Sequence, residues 1–277
     1  MTRYQQLREQ ITTTNAPVYL PYVMLGYPTA EKSLDVCRHL IKERVHGFEL
    51  GLPFRDPVAD GPVIEAAGNM ALDNGMTTSK AVELVRKIRD LAPSTPLTLM
   101  SYYNMVLAKG ADRFIGEFAS AGIDGLLIPD ITVERAEEVA PSARKHGVDL
   151  VYIVSPLSDE RRIRLIKEYA GGFIYVVTRL GITGIESHYA STLEELFGRI
   201  HKQISLPAIA GFGISEPEQA VGMVDLGADG VITGSRLVQL IGQAQENAWD
   251  LTPVVEHTRK MLNTLSGLRC PHRFAAR

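Results

Sequence analysis

An apolar segment is followed by a proline-rich loop in the stretch Gly47-Phe-Glu-Leu-Gly-Leu-Pro-Phe-Arg-Asp-Pro-Val-Ala-Asp-Gly-Pro62. The apolar run Val45–Leu52 carries one carboxylate, Glu49, and the loop carries Asp56 and Asp60. Burying an unpaired carboxylate costs several kcal/mol, so chains rarely place one inside a strand. The stretch therefore indicates either proton-transfer chemistry or a core ion pair beside an ordinary turn, and taken alone it leaves both interpretations open.

Apolar runs rich in strand-forming residues alternate with amphipathic helical patterns along the chain. The candidate strands are Val18–Leu25, Val45–Leu52, Leu97–Met100, Ile123–Ile128, Leu150–Val154, Phe173–Val177, Ala208–Ala210 and Gly230–Ile232. The candidate helices include Ala30–Glu43, Ser79–Leu91, Asp112–Ala121, Val133–His146, Asp159–Tyr169, Ser191–Gln203 and Glu216–Leu226. This alternation predicts a parallel sheet with crossover helices. About eight such units favour a closed (β/α)8 TIM barrel over an open doubly wound sheet.

Composition and length are those of an ordinary globular protein. The 277 residues carry a net charge of −3 without a Lys/Arg block, so we expect no nucleic-acid partner. The two cysteines form no disulfide framework, the N-terminus has no secretory apolar segment, and no apolar run approaches the ~20 residues that span a bilayer. We therefore expect a cytoplasmic protein with no membrane contact. One TIM-barrel domain is predicted over residues 1–277, with a short N-terminal helix at Tyr4–Ile11, a last helix at Val254–Leu265 and a frayed tail after about residue 266.

Parallel barrels build their active sites at the C-terminal ends of the strands. Glu49, Asp60, Asp130 and Tyr175 each fall at or just beyond that end of a candidate strand. Their placement at one end of the barrel favours the catalytic interpretation of Glu49. Asp130 also precedes a candidate helix, so an N-cap role is equally open for it.

Glycine-bearing turns follow the last three candidate strands and predict a phosphate site. They are Leu180-Gly-Ile-Thr-Gly184, Gly211-Phe-Gly-Ile-Ser215 and Gly234-Ser235. Glycine lets the backbone approach an anion closely, and the amide groups of a helix N-terminus then bind the phosphate oxygens. In these barrels phosphate commonly lies at the loops after strands seven and eight. Convergence of the turns at one rim therefore favours a phosphate monoester ligand.

These motifs together resemble those of a known enzyme family. The residues that carry the resemblance are Phe48-Glu-Leu-Gly-Leu-Pro-Phe54, Asp56-Pro-Val-Ala-Asp-Gly-Pro62, Gly181-Ile-Thr-Gly184, Gly211-Phe-Gly-Ile-Ser215 and Gly234-Ser235. The chain is similar to the tryptophan synthase α subunit from about Leu20 to about Leu240. The resemblance implies a lyase of tryptophan biosynthesis that splits indole-3-glycerol phosphate into indole and glyceraldehyde 3-phosphate. It implies Glu49 as the catalytic acid/base, Asp60 as the second catalytic acid and Tyr175 as the active-site tyrosine.

The same resemblance implies a substrate pocket and a partner protein. The phosphate contacts would be Gly184, Phe212, Gly213, Gly234 and Ser235. The indole pocket would be lined by Tyr22, Met100, Leu127, Ile153 and Ile232. A β subunit would dock at Pro53, Arg55, Asp56, Pro57 and Asn104, giving an α2β2 heterotetramer. Pyridoxal phosphate is expected only in that partner, and neither a cofactor nor a metal is expected in this chain.

The residue types suit a retro-aldol cleavage. The reaction must protonate indole C3, spread positive charge onto the ring nitrogen and remove a proton from the side-chain hydroxyl. Protonating carbon needs an acid whose pKa is raised towards the working pH, and an apolar strand raises the pKa of a carboxyl such as Glu49. A fixed carboxylate at the ring nitrogen stabilises the transition state more than the ground state, and Asp60 on a proline-stiffened loop suits that role.

Three alternatives are weighed against this interpretation. A Schiff-base aldolase needs a lysine inside the barrel, but the lysines fall mostly on candidate helices, and no histidine pair has zinc-ligand spacing. The other two are a free-standing relative that releases indole without a β partner and a non-catalytic barrel that binds a sugar phosphate. The first of these is motivated by departures from the family pattern, because Arg55 stands where the family usually has serine and Glu65 where it has glutamine. Tyr22 replaces phenylalanine in the pocket and adds a hydroxyl that must find a partner.

Overall fold

The computed structural model describes residues 1–178 and 187–271, in which eight parallel strands form a closed barrel. The strands are β1 (Val18–Met24), β2 (Phe48–Gly51), β3 (Leu97–Met100), β4 (Gly125–Leu127), β5 (Asp149–Val154), β6 (Ala170–Val177), β7 (Ala208–Gly211) and β8 (Gly230–Thr233). Each strand pairs with the next along the chain, and β8 closes the barrel on β1. The predicted TIM barrel is confirmed.

Helices surround the barrel. They are α1 (Arg3–Thr14), α2 (Ala30–Lys42), α3 (Pro62–Asp73), α4 (Thr78–Leu91), α5 (Tyr103–Lys109), α6 (Ala111–Ala121), α7 (Ala140–His146), α8 (Glu160–Tyr169), α9 (Ser187–Gln203), α10 (Pro217–Asp225), α11 (Ser235–Glu246) and α12 (Thr252–Ser266). The sequence predicts one helix over Val133–His146, which is wrong, because a 3-10 helix at Val133–Glu138 ends at Val139 before α7 begins. Pro141 at the start of α7 has no N–H to donate, which allows a helix to begin there but not to pass through.

The N-terminal helix closes the bottom of the barrel, as the sequence predicts. Tyr4 of α1 points its hydroxyl into the barrel, where it lies 2.5 Å from the Thr98 hydroxyl of β3. Added Cβ atoms on Gly125 and Gly172 would lie 2.4 and 3.0 Å from Tyr4 atoms. Glycine at these positions therefore makes the space that the tyrosine fills.

Strand register identifies the inner face of the barrel. In a parallel sheet, residues that pair across neighbouring strands point to the same side. Thr98 points into the barrel, where its hydroxyl contacts that of Tyr4. Its register partners are Glu49 on β2 and Gly125 on β4. Glu49 in turn pairs with Tyr22 on β1. The carboxylate that the sequence singles out therefore projects into the barrel.

The chain after α12 returns to the first helix. Cys270 is buried, and its N–H donates to the carbonyl of Asn15 at 2.9 Å. The predicted frayed tail continues into residues 272–277, which lie outside the described part of the chain. Across the described residues, no helix has the length and apolar character needed to cross a bilayer.

Candidate active site

Glu49 lies inside the barrel, and the described residues give it no charged partner. Its side chain is 2% exposed, and among the described residues Oε1 has no hydrogen-bond partner and no basic group pairs with the carboxyl. Burial, and after it the charge of Asp60, raises the pKa of the Glu49 carboxyl from 4.5 to about 8. The described residues thus give no support to a core ion pair. They contain a buried acid that stays largely protonated at neutral pH.

Asp60 approaches the barrel mouth from the loop between β2 and α3. Its N–H donates to the Pro57 carbonyl at 3.1 Å, which forms a turn in the loop. Burial raises the pKa of the Asp60 carboxyl to about 6, a hydrogen bond from Tyr102 opposes that rise, and the charge of Glu65 adds to it. Between about pH 6 and pH 8 the two acids therefore hold different protonation states, with Glu49 protonated and Asp60 ionised.

Two interior glycines make room for two tyrosine hydroxyls beside these acids. A Cβ on Gly51 would lie 1.9 Å from the Tyr22 hydroxyl, and a Cβ on Gly211 would lie 2.2 Å from the Tyr175 hydroxyl. Both tyrosines are buried, and burial raises both pKa values well above 10.0, with Asp60 and Glu49 adding to the rise. The rings are thus held in place by neighbouring backbone, and both hydroxyls stay protonated.

The remaining pocket residues share the inner face with Glu49. Met100 lies two residues beyond Thr98 and pairs with Leu127, and Ile153 pairs with Tyr175. Ile232 pairs with Leu20 on β1. Tyr22 follows Leu20 by two residues and therefore points to the same face. The structure therefore brings together the side chains predicted for the indole pocket: Tyr22, Met100, Leu127, Ile153 and Ile232. Most of this surface is apolar, which suits an aromatic ring.

The predicted phosphate turns after β7 and β8 lie side by side because those strands are neighbours. Phe212 and Gly213 both have positive φ, 76° and 81°, and the Thr178 hydroxyl lies 3.0 Å from the Gly211 carbonyl and 2.5 Å from that of Phe212. Gly234 caps the 12-residue helix α11, so the first amide groups of α11 point towards the mouth. Gly184, the remaining predicted contact, lies outside the described residues.

The predicted docking residues divide into exposed and buried ones. Arg55, Asp56 and Asn104 are exposed, Pro57 is half-buried, and Pro53 is buried and therefore shapes the loop. Arg55 pairs with Asp73 and donates to Asn69 at 3.3 Å, both on α3. Large apolar side chains that the sequence analysis did not single out are exposed on the segments after β2, β3 and β5: Val58 at 81%, Leu107 at 55% and Leu157 at 76%.

Two further residues have roles that sequence reasoning left open or missed. The Asp130 carboxylate accepts the Tyr103 N–H at 2.8 Å, so it caps the start of α5, a helix on the neighbouring unit. Tyr102 contacts both ends of the loop between β2 and α3: its ring stacks on Phe54, its hydroxyl accepts the Ala59 N–H, and it lowers the pKa of Asp60. Its position just beyond β3, at the end of the barrel where the site was predicted, is the sequence feature that could have identified it. In the described residues no cluster of His, Cys, Asp or Glu could hold a metal ion.

Comparison with known proteins agrees with this geometry. A family model, Tryptophan synthase alpha chain, matches residues 9–266. The tryptophan synthase alpha chain of Methanosarcina barkeri is 41% identical over 244 residues, covering 88% of this chain and 89% of the relative. The corresponding chain of Aliivibrio fischeri is 39% identical over 247 residues, with coverage of 89% and 92%. The crystal structure of tryptophan synthase subunit alpha from Legionella pneumophila superposes with a TM-score of 0.88 at 30% identity, covering 97% of this chain and all of the other.

Proposed function

This chain belongs to the tryptophan synthase alpha chain family, and from that premise we propose that it cleaves indole-3-glycerol phosphate to indole and glyceraldehyde 3-phosphate. The single observation that carries the proposal is Glu49, a buried carboxyl on the inner face with no charged partner among the described residues. Such a group is costly to bury, and no described contact gives it a structural role. Its raised pKa suits an acid that must protonate carbon.

Glu49 serves as both acid and base in the proposed reaction. The protonated carboxyl delivers its proton to indole C3, and positive charge develops on the ring nitrogen. The bond between C3 and the first side-chain carbon then breaks, and its electron pair returns to the ring. The hydroxyl on that carbon becomes the aldehyde and gives its proton to the Glu49 carboxylate, which restores the starting acid. Tyr175 lies near both acids, whose charges raise the pKa of its hydroxyl, and that hydroxyl is held beside Gly211.

Asp60 is the proposed partner of the ring nitrogen. Its carboxylate is ionised above about pH 6, so it can accept the indole N–H and stabilise the charge that develops there. The positive-φ turn at Phe212–Gly213 and the N-terminus of α11 at Gly234–Ser235 would bind the phosphate. In the proposed complex the reacting carbon would lie between Glu49 as donor and the phosphate tail bound at the rim.

Replacing Glu49 with glutamine tests the proposal. Glu49→Gln keeps the shape and removes the proton, so indole formation should fall by roughly 10²- to 10⁴-fold. Glu83→Gln, which changes an exposed glutamate on α4, is the matched control and should be as active as the parent protein. Near-normal turnover by Glu49→Gln would reject the assignment. Absence of cleavage in the parent protein would instead favour the non-catalytic sugar-phosphate barrel.

We also propose that a β subunit docks on the mouth of the barrel. Val58, Leu107 and Leu157 are exposed on the segments after β2, β3 and β5, so each offers an apolar side chain to a partner at this end of the barrel. A structure from Mycobacterium tuberculosis described as tryptophan synthase superposes on this chain with a TM-score of 0.85 at 28% identity. Because Glu49 makes both proton transfers and Asp60 stabilises the charge on the ring nitrogen, pyridoxal phosphate is expected only in the partner.

Titration with a purified β subunit tests the docking proposal. Leu107→Glu should weaken the complex and any rate activation at least tenfold, because it puts a charge into the apolar contact. Leu91→Glu, at the end of α4 and 39% exposed, is the matched control. Full indole release that no β subunit alters would support the free-standing alternative.

A further inference from the structure

Tyr102 links the loop between β2 and α3, which carries Asp60, to the barrel. It takes no part in the proton transfers described above. The residue lies two positions beyond the end of β3, and it is 2% exposed. Its ring stacks on Phe54 with centroids 5.3 Å apart and an interplanar angle of 27°. Phe54 lies near the start of the loop between β2 and α3. Tyr102, from the segment after β3, therefore contacts the beginning of this loop.

The Tyr102 hydroxyl contacts the other end of the same loop. It accepts the Ala59 N–H at 3.2 Å, and its interaction with the neighbouring Asp60 carboxyl lowers the pKa of that group. Hydrogen bonds arranged in sequence polarise one another, so the amide strengthens the hydroxyl as a donor. Burial, and after it the charge of Asp60, raises the pKa of Tyr102, so the hydroxyl keeps its proton throughout the working range.

Neighbouring contacts fix Tyr102 itself. Its backbone is extended, with φ −82° and ψ 147°, and the next amide, Tyr103 N–H, is bound by the Asp130 carboxylate at 2.8 Å. The described loop is also linked to α3 through Arg55, whose ion pair with Asp73 joins side chains that are 54% and 64% exposed. Exposed pairs contribute little, so the buried contacts of Tyr102 are the stronger constraint on the loop.

We propose that Tyr102 is the positioning residue of Asp60, holding its carboxylate ionised and aligned with the indole N–H. The inference rests on the proposed lyase function and adds a residue to it. A hydrogen bond to the charged form favours that form. Tyr102 thus offsets part of the effect of burial, which would otherwise protonate Asp60 within the working range.

The test is the pH dependence of kcat/KM for cleavage by Tyr102→Phe. Phenylalanine keeps the stacking on Phe54 and removes only the hydroxyl. The lower limb of the profile, which belongs to Asp60, should move up by roughly one pH unit, because the group that lowers this pKa is lost. Activity should therefore fall most at low pH. Tyr103→Phe is the matched control: that hydroxyl binds Glu138 and not Asp60, and both limbs should stay in place.

A double variant keeps the inference falsifiable if Tyr102→Phe is less stable than the parent protein. In an Asp60→Asn background there is no carboxylate to hold, so Tyr102→Phe should cause no further pH-dependent loss. An unmoved lower limb in Tyr102→Phe, or an equal loss of activity at every pH, would overturn the positioning role while leaving the lyase assignment intact. Absence of cleavage in the parent protein would instead overturn the proposed function itself.

Discussion

Removing the Glu49 carboxyl should stabilise the protein while it abolishes the reaction. The folded chain holds this pKa at about 8, against an ordinary value of 4.5, so folding disfavours the ionised form. Below pH 4.5 the Glu49 carboxyl is protonated in both the folded and the unfolded chain, so its ionisation does not change the free energy of unfolding. As pH rises from 4.5 towards 8, the unfolded chain ionises first, and the free energy of unfolding decreases.

The size of the effect follows from the two pKa values. The free energy of unfolding is lowered by about 1 kcal/mol at pH 5, about 3 kcal/mol at pH 7 and about 5 kcal/mol above pH 8. Glu49→Gln resembles the protonated acid but cannot ionise, so it escapes this cost. The variant should therefore be more stable than the parent protein by about 3 kcal/mol at pH 7, and the difference should shrink to about 1 kcal/mol at pH 5.

Urea unfolding of both proteins at pH 5, 6, 7 and 8 measures this difference. Glu83→Gln, on the surface, should show no such pH-dependent gain. A Glu49→Gln variant that is no more stable than the parent at pH 7, or whose advantage does not grow with pH, would refute the reasoning. Such a result would mean that the carboxylate is stabilised in the fold by something other than the described contacts.

Three further substitutions test the surroundings of the site. Tyr22→Phe removes a hydroxyl whose described contact is the weak acceptor Met24 Sδ at 3.9 Å, so urea unfolding should change by less than about 1 kcal/mol; a loss above 2 kcal/mol would reveal a stronger partner. Gly51→Ala places a Cβ 1.9 Å from that hydroxyl and should lower kcat/KM at least tenfold by pushing the ring into the pocket; an unchanged steady-state rate would contradict this. Arg55→Ser breaks an exposed pair with Asp73, so the unfolding free energy should fall by less than about 1 kcal/mol, and a larger fall would show that the pair is a major constraint.

The strands were predictable because parallel strands are buried on both faces and read as apolar runs. β3 was predicted with its observed bounds, and β2 is the inner part of the predicted run Val45–Leu52. Helices α3, α5 and α11 were not among the candidates. Each begins where a strand-end loop was expected: α3 at Pro62, α5 beside Asp130 and α11 at the predicted phosphate turn. Residues with turn or ligand signals can equally begin a helix, and only the packing decides between the two.

The position of Glu49 was predictable, but its environment was not. A carboxylate in an apolar strand indicates either catalysis or an ion pair, and the outcome depends on side chains from other strands. The contact between Ala59 and Tyr102 joins residues 43 positions apart, a separation at which sequence patterns carry no information. Gly51 and Gly211 are similar cases, because each is explained by a tyrosine on another strand.

The protonation state of Glu49 is the most direct test of the account. Infrared difference spectra between the parent protein and Glu49→Gln, recorded from pH 5 to pH 9, would follow the carbonyl band of this single carboxylic acid. We expect the protonated band to persist at pH 7 and to disappear with a midpoint near 8. A band already absent at pH 7, with a midpoint near the ordinary value of 4.5, would contradict the assignment of Glu49 as the proton donor.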